Sequence, residues 1–200
     1  MSERTIWKGA TLLAPVPAVL VSVGDEGKSN IFTAAWTGII NSQPPKTYVS
    51  VRKERYSYEF IKNAREFVIN IPSCDLVKQT DWCGVKSGRD FDKWTEMKLT
   101  KIKSSKVSVP SIDECPICLE CKVTAEQELG THTMFIADIV SISVKNEMLD
   151  KNQKLHIDKC NLLAYAHGEY FSLGKSLGTF GYSVRKKNKK QYRKGNHHGK

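Results

Sequence analysis

"NIFTAAWTG", residues 30–38, is typical of a β-strand but has one face of unusually small side chains. At the two-residue period of a strand, Thr33, Ala35 and Thr37 follow Ile31 on that face. A strand packed in a core usually carries Val, Ile, Leu or Phe on both faces. Three short side chains, two of them with hydroxyls, predict a shallow depression on this face with groups that can form hydrogen bonds. Something other than a large side chain must fill that depression.

The regions around this stretch indicate a mainly β chain with short helices. Strands are predicted at 19–23, 30–37, 46–53 and 66–72, with two long strands at 116–129 and 132–145. Helices are predicted at 57–65, where Ser57 would be the N-cap, and at 73–84, closed by Gly84. Many strands with few, short helices favour a β-barrel or sandwich.

The net charge of +10 belongs to the C-terminus rather than to the folded part. Residues 185–200 hold eight of the 31 Lys and Arg residues and no acid, so 23 basic residues face 21 acidic ones elsewhere. We therefore divide the chain into a domain, residues 1–184, and a basic tail, residues 185–200, expected to be disordered. The tail could also attract nucleic acid, but only through weak, salt-sensitive contacts.

The six cysteines do not indicate a disulfide scaffold. The chain has 40% hydrophobic residues, enough for a core, and we expect it to be cytosolic, where disulfides are rare. "CPICLEC", residues 115–121, resembles a metal-binding spacing. In a strand, however, Cys115 and Cys121 would share a face and Cys118 would point away. We expect reduced packing thiols and no metal, with a metal protein as the alternative.

The polypeptide shows no apolar run long enough to span a bilayer. The apolar stretch 10–23 contains two prolines and runs into a Gly-rich turn, so we interpret it as folded rather than as a signal peptide. We expect a cytoplasmic protein with no membrane partner.

A cluster of cations precedes the first predicted helix. Arg52, Lys53 and Arg55 lie just before Ser57, and a helix N-terminus favours anions. The cluster fits a phosphate site, and a charged surface turn is the alternative. Because sequential strands are usually neighbours, the small face of 30–38 and this cluster should adjoin. A flat polar ring on one and a phosphate on the other would describe flavin mononucleotide (FMN).

The chain resembles the flavin reductase-like FMN-binding split barrels, and within them the flavoredoxin group. The resemblance covers about residues 10–183 and rests on ordered blocks. These are "PVPAVLVSV" (15–23), the segment 30–72 that begins "NIFTAAWTG", "CGVKSGRDFDKW" (83–94), "ECPICLEC" (114–121), "GTHTMFIADIV" (130–140) and "AYAHGEYFSLGKSLGTFGYS" (164–183).

The resemblance implies a six-stranded Greek-key split barrel and a homodimer with FMN near the subunit interface. It also implies which residues would contact FMN. It places His132 near the open face of the flavin. The alternative for His132 is a surface position at the end of a hairpin. The implied FMN-binding residues are Asn30, Thr33, Ala35, Trp36, Thr37, Ser50, Arg52, Lys53, Ser57, Lys93 and Tyr165.

The expected activity is that of an FMN-dependent oxidoreductase. NADH or NADPH would reduce the flavin, and an unidentified acceptor would receive the electrons. The alternative is a flavoredoxin-type carrier that a redox partner protein reduces. No G-x-G-x-x-G fingerprint follows a strand, but split barrels bind nicotinamide without it.

Overall fold

The computed structural model describes residues 2–185. The domain predicted for residues 1–184 lies almost entirely within this range. The prediction for the basic tail falls, apart from Arg185, outside the described residues.

A seven-stranded antiparallel sheet forms the body of the fold, in the order β3-β2-β6-β9-β10-β5-β4. Its strands are β2 (Val19–Gly24), β3 (Ser29–Ala34), β4 (Thr37–Ser42), β5 (Pro45–Arg52), β6 (Glu66–Ile71), β9 (Ile117–Glu128) and β10 (His132–Val144). Short strands add two smaller sheets: β1 (Val16–Pro17), β11 (Leu163–Ala166) and β12 (Glu169–Ser172) in one, and β7 (Lys101–Ile102) and β8 (Ser111–Ile112) in the other. The expectation of a mainly β split barrel is confirmed.

The two edge strands of the sheet, β3 and β4, are consecutive in the chain. Only Ala35 and Trp36 separate them, so the two edges approach each other at one end, although β3 pairs only with β2 and β4 only with β5 among the described residues. The Ser50 amide of β5 donates a hydrogen bond to the Trp36 carbonyl at 3.0 Å, which continues the β4–β5 pairing into this connection. "NIFTAAWTG" was predicted as one strand. It forms parts of two, which is why the main sheet has seven strands rather than six.

The core has two layers, which explains why β2 is buried along its whole length. Val19, Val21 and Val23 point into the barrel with Phe67 and Phe135. On the opposite face of the same strands, a second apolar cluster lies under the helices; it includes Leu20, Ile31, Val68, Leu76, Trp94 and Ile112. A strand covered on both faces reads as a continuous apolar run rather than as an alternating one.

Three short α-helices cover the barrel: α1 (Ser57–Ala64), α2 (Val77–Val85) and α3 (Lys93–Glu96). Single 3₁₀ turns occupy Cys74–Leu76, Asn146–Met148, Ile157–Cys160 and Tyr182–Val184. Two details of the helix predictions are wrong. The N-cap of α1 is Tyr56, because the Ser57 hydroxyl instead accepts a hydrogen bond from Asn30. Gly84 lies inside α2, which continues to Val85.

The six cysteines are free and five of them are buried. Cys121 lies in the barrel, while Cys115 and Cys118 share the second layer. The predicted pairing of Cys115 with Cys121 on one face is wrong, because Cys115 precedes β9 and does not follow its alternation. Burial raises the pKa of Cys118 to about 11 and that of Cys121 to about 12, so both thiols stay protonated at neutral pH.

Within residues 2–185, no helix is both long and apolar enough to cross a membrane. Over the same range, no three His, Cys, Asp or Glu side chains are grouped as metal ligands.

Candidate functional site: a cleft at the barrel junction

The cleft lies where β3 gives way to β4 and consists of two adjoining cavities. The first has a volume of about 390 Å³ and the second of about 360 Å³, which is within the usual range for small-molecule sites. Phe32, Thr33, Arg52, Arg55 and Gly84 line both cavities, so the two are continuous. We call the first cavity the aromatic end and the second the cationic end.

Rings form the walls of the aromatic end. Trp36 and His132 have ring centroids 4.5 Å apart, and Tyr165 and Tyr170 meet edge to face at 5.4 Å. Trp36 remains 45% exposed, an unusual position for so large a ring. Ala35 and Ser50 complete this end with small side chains. The result is an open site of flat apolar surfaces with a few polar groups.

Basic side chains dominate the cationic end. Its lining includes one carboxylate, Glu54, and five cations: Arg52, Arg55, Lys86, Arg89 and Lys93. Arg52 is 3.2 Å from Glu54, and Arg55 donates to the Gly84 carbonyl at 3.3 Å. This excess of positive charge in a concave site favours an anionic ligand.

Lys93 is the buried cation of this end, with 3% of its surface exposed. Its ammonium donates to the Cys83 carbonyl at 2.7 Å. Burial lowers the pKa of Lys93 to about 8; Cys83 opposes this shift and the nearby Arg55 adds to it. The preceding residue, Asp92, is the N-cap of α3 and accepts a hydrogen bond from the Trp94 amide at 3.1 Å, which fixes where Lys93 enters the cleft.

Helix α2 lies against the face of β3 that carries small side chains. The close approach of the helix is one reason why the side chains on that face are small. The Thr33 hydroxyl donates to the Thr80 carbonyl at 2.5 Å. A Cβ added to Gly84 would come within 3.2 Å of the Thr33 Cβ, so glycine allows this close approach of helix and strand. Thr33 and Gly84 together form the boundary between the two ends of the cleft.

Asn30 and Ser57 form the floor of the cationic end. The Asn30 amide donates to the Ser57 hydroxyl at 2.8 Å, and both side chains are buried. Gly88 closes over this pair: a Cβ there would lie 2.2 Å from the Asn30 Oδ1 atom. The loop after α2 can therefore cross the floor only with glycine at this position.

His132 begins β10 and faces Arg52 across the β5–β10 ladder. Its Nδ1 atom lies 2.8 Å from the Thr131 hydroxyl. Burial lowers the pKa of His132, and Arg52 and Arg55 lower it further while Glu54 opposes them. At neutral pH the imidazole is therefore uncharged, and its ring lies against Trp36 at the edge of the cleft.

Most side chains expected to bind FMN do line this cleft, but two lie outside it. The Thr37 hydroxyl donates to the Tyr48 carbonyl, because Thr37 belongs to β4 and not to the strand of Thr33. Lys53 forms an ion pair with Glu128 at 2.8 Å. Ser50 and Arg52 are two residues apart on β5 and share the face toward the cleft, which leaves Lys53 on the other side.

Sequence reasoning missed several residues of the cleft, including Asp81, Gly84, Arg89 and Tyr170. Tyr170 donates to Asp81 at 3.3 Å, which links β12 to α2 across the aromatic end. The available signal for Gly84 was a glycine within the predicted helical segment 73–84, since glycine costs helix stability unless close packing requires it.

Comparison with known proteins agrees with this architecture. Flavoredoxin of Desulfovibrio vulgaris (Miyazaki F) is 32% identical with a TM-score of 0.85, covering 92% of this chain and 100% of that one. Flavoredoxin from Methanosarcina acetivorans is 27% identical with a TM-score of 0.81, over 92% and 100%. The FMN-binding domain of a flavin reductase-like enzyme from Shewanella baltica is 26% identical with a TM-score of 0.72, over 82% and 88%.

The sequence itself assigns the chain to a family. Residues 12–174 match the flavin reductase like domain, and this range contains all the cleft residues named above. The protein therefore belongs to the flavin reductase-like family of FMN-binding split-barrel oxidoreductases.

Proposed function

We propose that this protein binds FMN in the cleft and passes electrons from NADH or NADPH to a further acceptor. The observation that carries the proposal is the polarity of the cleft, with flat apolar walls at one end and five cations against one carboxylate at the other. FMN has the same division, with a planar tricyclic ring joined through a ribityl chain to a phosphate dianion.

The residues of the cationic end fit a phosphate. Arg55 and Arg52 offer guanidinium groups, the geometry that suits phosphate oxygens, and Lys93 offers a point charge from below. Gly84 and Gly88 let α2 and the following loop pack closely on Thr33 and Asn30, so backbone borders this end of the cleft. The volume of each cavity is large enough for one half of such a ligand.

The residues of the aromatic end would orient the ring. Trp36 and Tyr165 provide flat contact surfaces, while Ala35 leaves the depth that a ring requires. Ser50 and Thr33 place hydroxyls beside it. Bound FMN would supply the hydride acceptance and electron transfer, as cofactors do in general, and the protein would supply position and electrostatics.

His132 is our candidate catalytic residue. Its uncharged imidazole lies at the exposed edge of the aromatic end, where a second substrate can approach. There it could hold or accept a proton at Nε2, since Nδ1 is engaged with Thr131.

The visible spectrum of the purified protein under anaerobic conditions, before and after addition of NADH or NADPH, tests this proposal. We expect a flavin spectrum that bleaches with one of the nucleotides. A flavin spectrum that bleaches only with reduced ferredoxin would instead support an electron carrier, the alternative that the likeness to flavoredoxins favours. Absence of flavin, even after FMN is supplied, would overturn the proposal.

We also propose that the protein is a homodimer with FMN near the interface. Large apolar side chains are exposed beside the cleft, including Ile39 at 67% and Ile40 at 47% on β4. Trp36, which immediately precedes β4, belongs to the cleft itself. A second copy on this face would therefore cover apolar surface and lie close to the aromatic end.

A further inference from the structure

A third cavity opens beside the aromatic end of the cleft and shares no lining residue with the cationic end. Its volume is about 370 Å³. Trp36, Tyr165 and Gly168 line both this cavity and the aromatic end, so the two communicate at these residues. We call this cavity the vestibule. A molecule held there would lie directly beside the position that we propose for the flavin ring.

Two different segments form the walls of the vestibule. Strand β1 pairs with β11 so that Val16 lies opposite Tyr165, which puts both side chains on one face of that small sheet. Residues 11–14, which have no regular secondary structure, form the other wall. Leu12 and Leu13 belong to this wall although they are 48% and 86% exposed. Apolar side chains exposed beside a cavity are typical of a binding surface, since a ligand would remove them from water.

The vestibule differs from the cationic end in its charge. None of the described residues that line it is Lys, Arg, Asp or Glu, and its polar side chains are those of Thr11, Tyr165 and His167. A nicotinamide dinucleotide carries a charged pyrophosphate, for which this lining provides no lysine or arginine. A neutral molecule needs no such partner. The lining therefore favours a neutral, largely apolar ligand over an ionic one.

The side chains of the vestibule also indicate the shape of this ligand. Trp36 and Tyr165 provide aromatic surface, which pairs favourably with other planar rings. The hydroxyls of Thr11 and Tyr165 can each donate a hydrogen bond to a carbonyl oxygen. A quinone combines these features, because it is a planar, uncharged ring with carbonyl oxygens at its rim. The volume of the vestibule is within the usual range for small-molecule sites.

We propose that the vestibule binds a small neutral quinone, which is the electron acceptor of this protein. The inference rests on the proposed function, because it requires reduced FMN in the cleft, and it names the class of acceptor that this function leaves open. The quinone would accept two electrons and two protons and leave as the hydroquinone. Reduced FMN would supply both and return to its oxidised form.

The rate of reoxidation of the FMN-loaded protein tests this proposal. The protein is reduced beforehand with dithionite, so that no nicotinamide nucleotide is needed. Stopped-flow absorbance would compare duroquinone, whose four methyl groups prevent addition of thiols, with ferricyanide, a charged acceptor that the vestibule does not favour. Thr11→Trp would fill the vestibule from an exposed position. It should lower the second-order rate constant with duroquinone about tenfold, because the quinone loses the apolar contacts of one ring. The rate constant with ferricyanide should not change.

Thr5→Trp is the matched control, because Thr5 is exposed on the same segment but does not line the vestibule. It should react with duroquinone like the wild type. Leu12→Asp, a second variant, would place a carboxylate in the apolar wall and should lower the same rate constant without filling the cavity.

Equilibrium dialysis measures quinone binding without electron transfer, because the FMN-loaded protein is kept oxidised. Duroquinone should bind to the wild type and to Thr5→Trp, and more weakly to Thr11→Trp and Leu12→Asp.

Three outcomes would count against the inference. Equal duroquinone constants for the wild type and Thr11→Trp, or an equal loss with both acceptors, would overturn the quinone site and leave the FMN proposal standing. If Thr11→Trp raised the KM for NADPH and left the duroquinone constants unchanged, the vestibule would hold the nicotinamide nucleotide, and its assignment to the acceptor would be wrong. If the wild type bound no FMN, the proposed function itself would fail, and the acceptor site with it.

Discussion

Lys93 is a single residue whose burial predicts a pH dependence. Its pKa of about 8 is below the ordinary value of 10.5 because burial disfavours the ammonium form. The phosphate of FMN stays doubly charged above its second pKa of about 6. As pH rises through 8, the cleft therefore loses a positive charge while the ligand loses none.

We expect the dissociation constant of FMN to rise about tenfold or more between pH 7 and pH 10, since a hydrogen bond to a charged group contributes roughly 1.5–3 kcal/mol. Fluorescence titration across this range would measure it. Lys93→Met should bind FMN weakly and with little pH dependence. The free energy of unfolding of the apoprotein should rise over the same range, because the unfolded chain holds the proton that the folded chain releases. If the dissociation constant of FMN for Lys93→Met depended on pH as it does for the wild type, Lys93 would not belong to the phosphate site.

Ala35 tests whether a ring occupies the space beside it. It is half-buried at the aromatic end, between β3 and β4. Ala35→Phe should fold, since its side chain would point into an open cavity, but it should lose bound FMN because two rings cannot share one volume. Flavin absorbance relative to protein absorbance measures the loss. Ile102→Phe, a substitution on β7 away from the cleft, should retain the flavin, and full occupancy in Ala35→Phe would contradict the placement.

His132 can be separated from its neighbours by kinetics. We expect His132→Ala to retain FMN, because the residue lies at the edge of the cleft and not at its cationic end. The rate of flavin reduction by NADPH should fall about 10²-fold, the lower range for general acid–base catalysis. Stopped-flow absorbance would measure it. His167→Ala, on the β11–β12 turn, is the control, and loss of FMN from His132→Ala would show a structural role instead.

At the scale of elements, the sequence predicted what local patterns determine. The two long strands were expected at 116–129 and 132–145 and lie at Ile117–Glu128 and His132–Val144, since both are marked by β-rich composition and a Gly130-Thr131 turn. The division of "NIFTAAWTG" was not predictable in this way. The break at Ala35 and Trp36 separates β3, which pairs with β2, from β4, which pairs with β5, and the choice of these partners depends on tertiary packing.

The same distinction applies to the candidate site. Thr33, Arg52 and Ser57 come together because they lie on adjacent elements near one strand end, which local reasoning can follow. Arg89 and Tyr170 reach the cleft from loops and hairpins whose positions depend on tertiary packing. Lys53 was expected beside Arg52 but pairs with Glu128 outside the cleft, because successive residues at the end of a strand point in opposite directions.

Helix α3 provides a prediction about an element. It has only four residues, so its cap matters: Asp92 accepts hydrogen bonds from the Trp94 amide and, at 2.6 Å, from the Thr95 hydroxyl. Asp92→Ala should lower the free energy of unfolding by about 1 kcal/mol. Urea denaturation would measure this, and weaker FMN binding should accompany it because Lys93 follows directly.

Asp90→Ala is the control for this element, since Asp90 is exposed and lies outside the helix. The hydrogen bonds lower the pKa of Asp92, so its contribution should be present at neutral pH and disappear as the pH falls through and below the ordinary aspartate value of 3.8. Equal stability of the two variants at pH 7 would show that α3 does not depend on its cap.

The distribution of exposed apolar side chains is a property of the whole molecule. Strand β4 pairs only with β5 among residues 2–185, and its register shifts between Ile39 and Asn41. This bulge places an extra residue in the strand and leaves Ile39 and Ile40 both facing outward. An unpaired edge with adjacent exposed isoleucines would be an aggregation hazard in a monomer.

We therefore expect size-exclusion chromatography with light scattering to give a dimer. Ile39→Asp should convert it to a monomer, because the carboxylate would be buried without a partner in the dimer interface. If FMN lies near that interface, the same variant should also bind FMN more weakly. Ile102→Asp, a similar change on β7 away from the cleft, should remain dimeric. A wild-type monomer that binds FMN fully would separate the cofactor site from assembly and show that one chain completes the cleft.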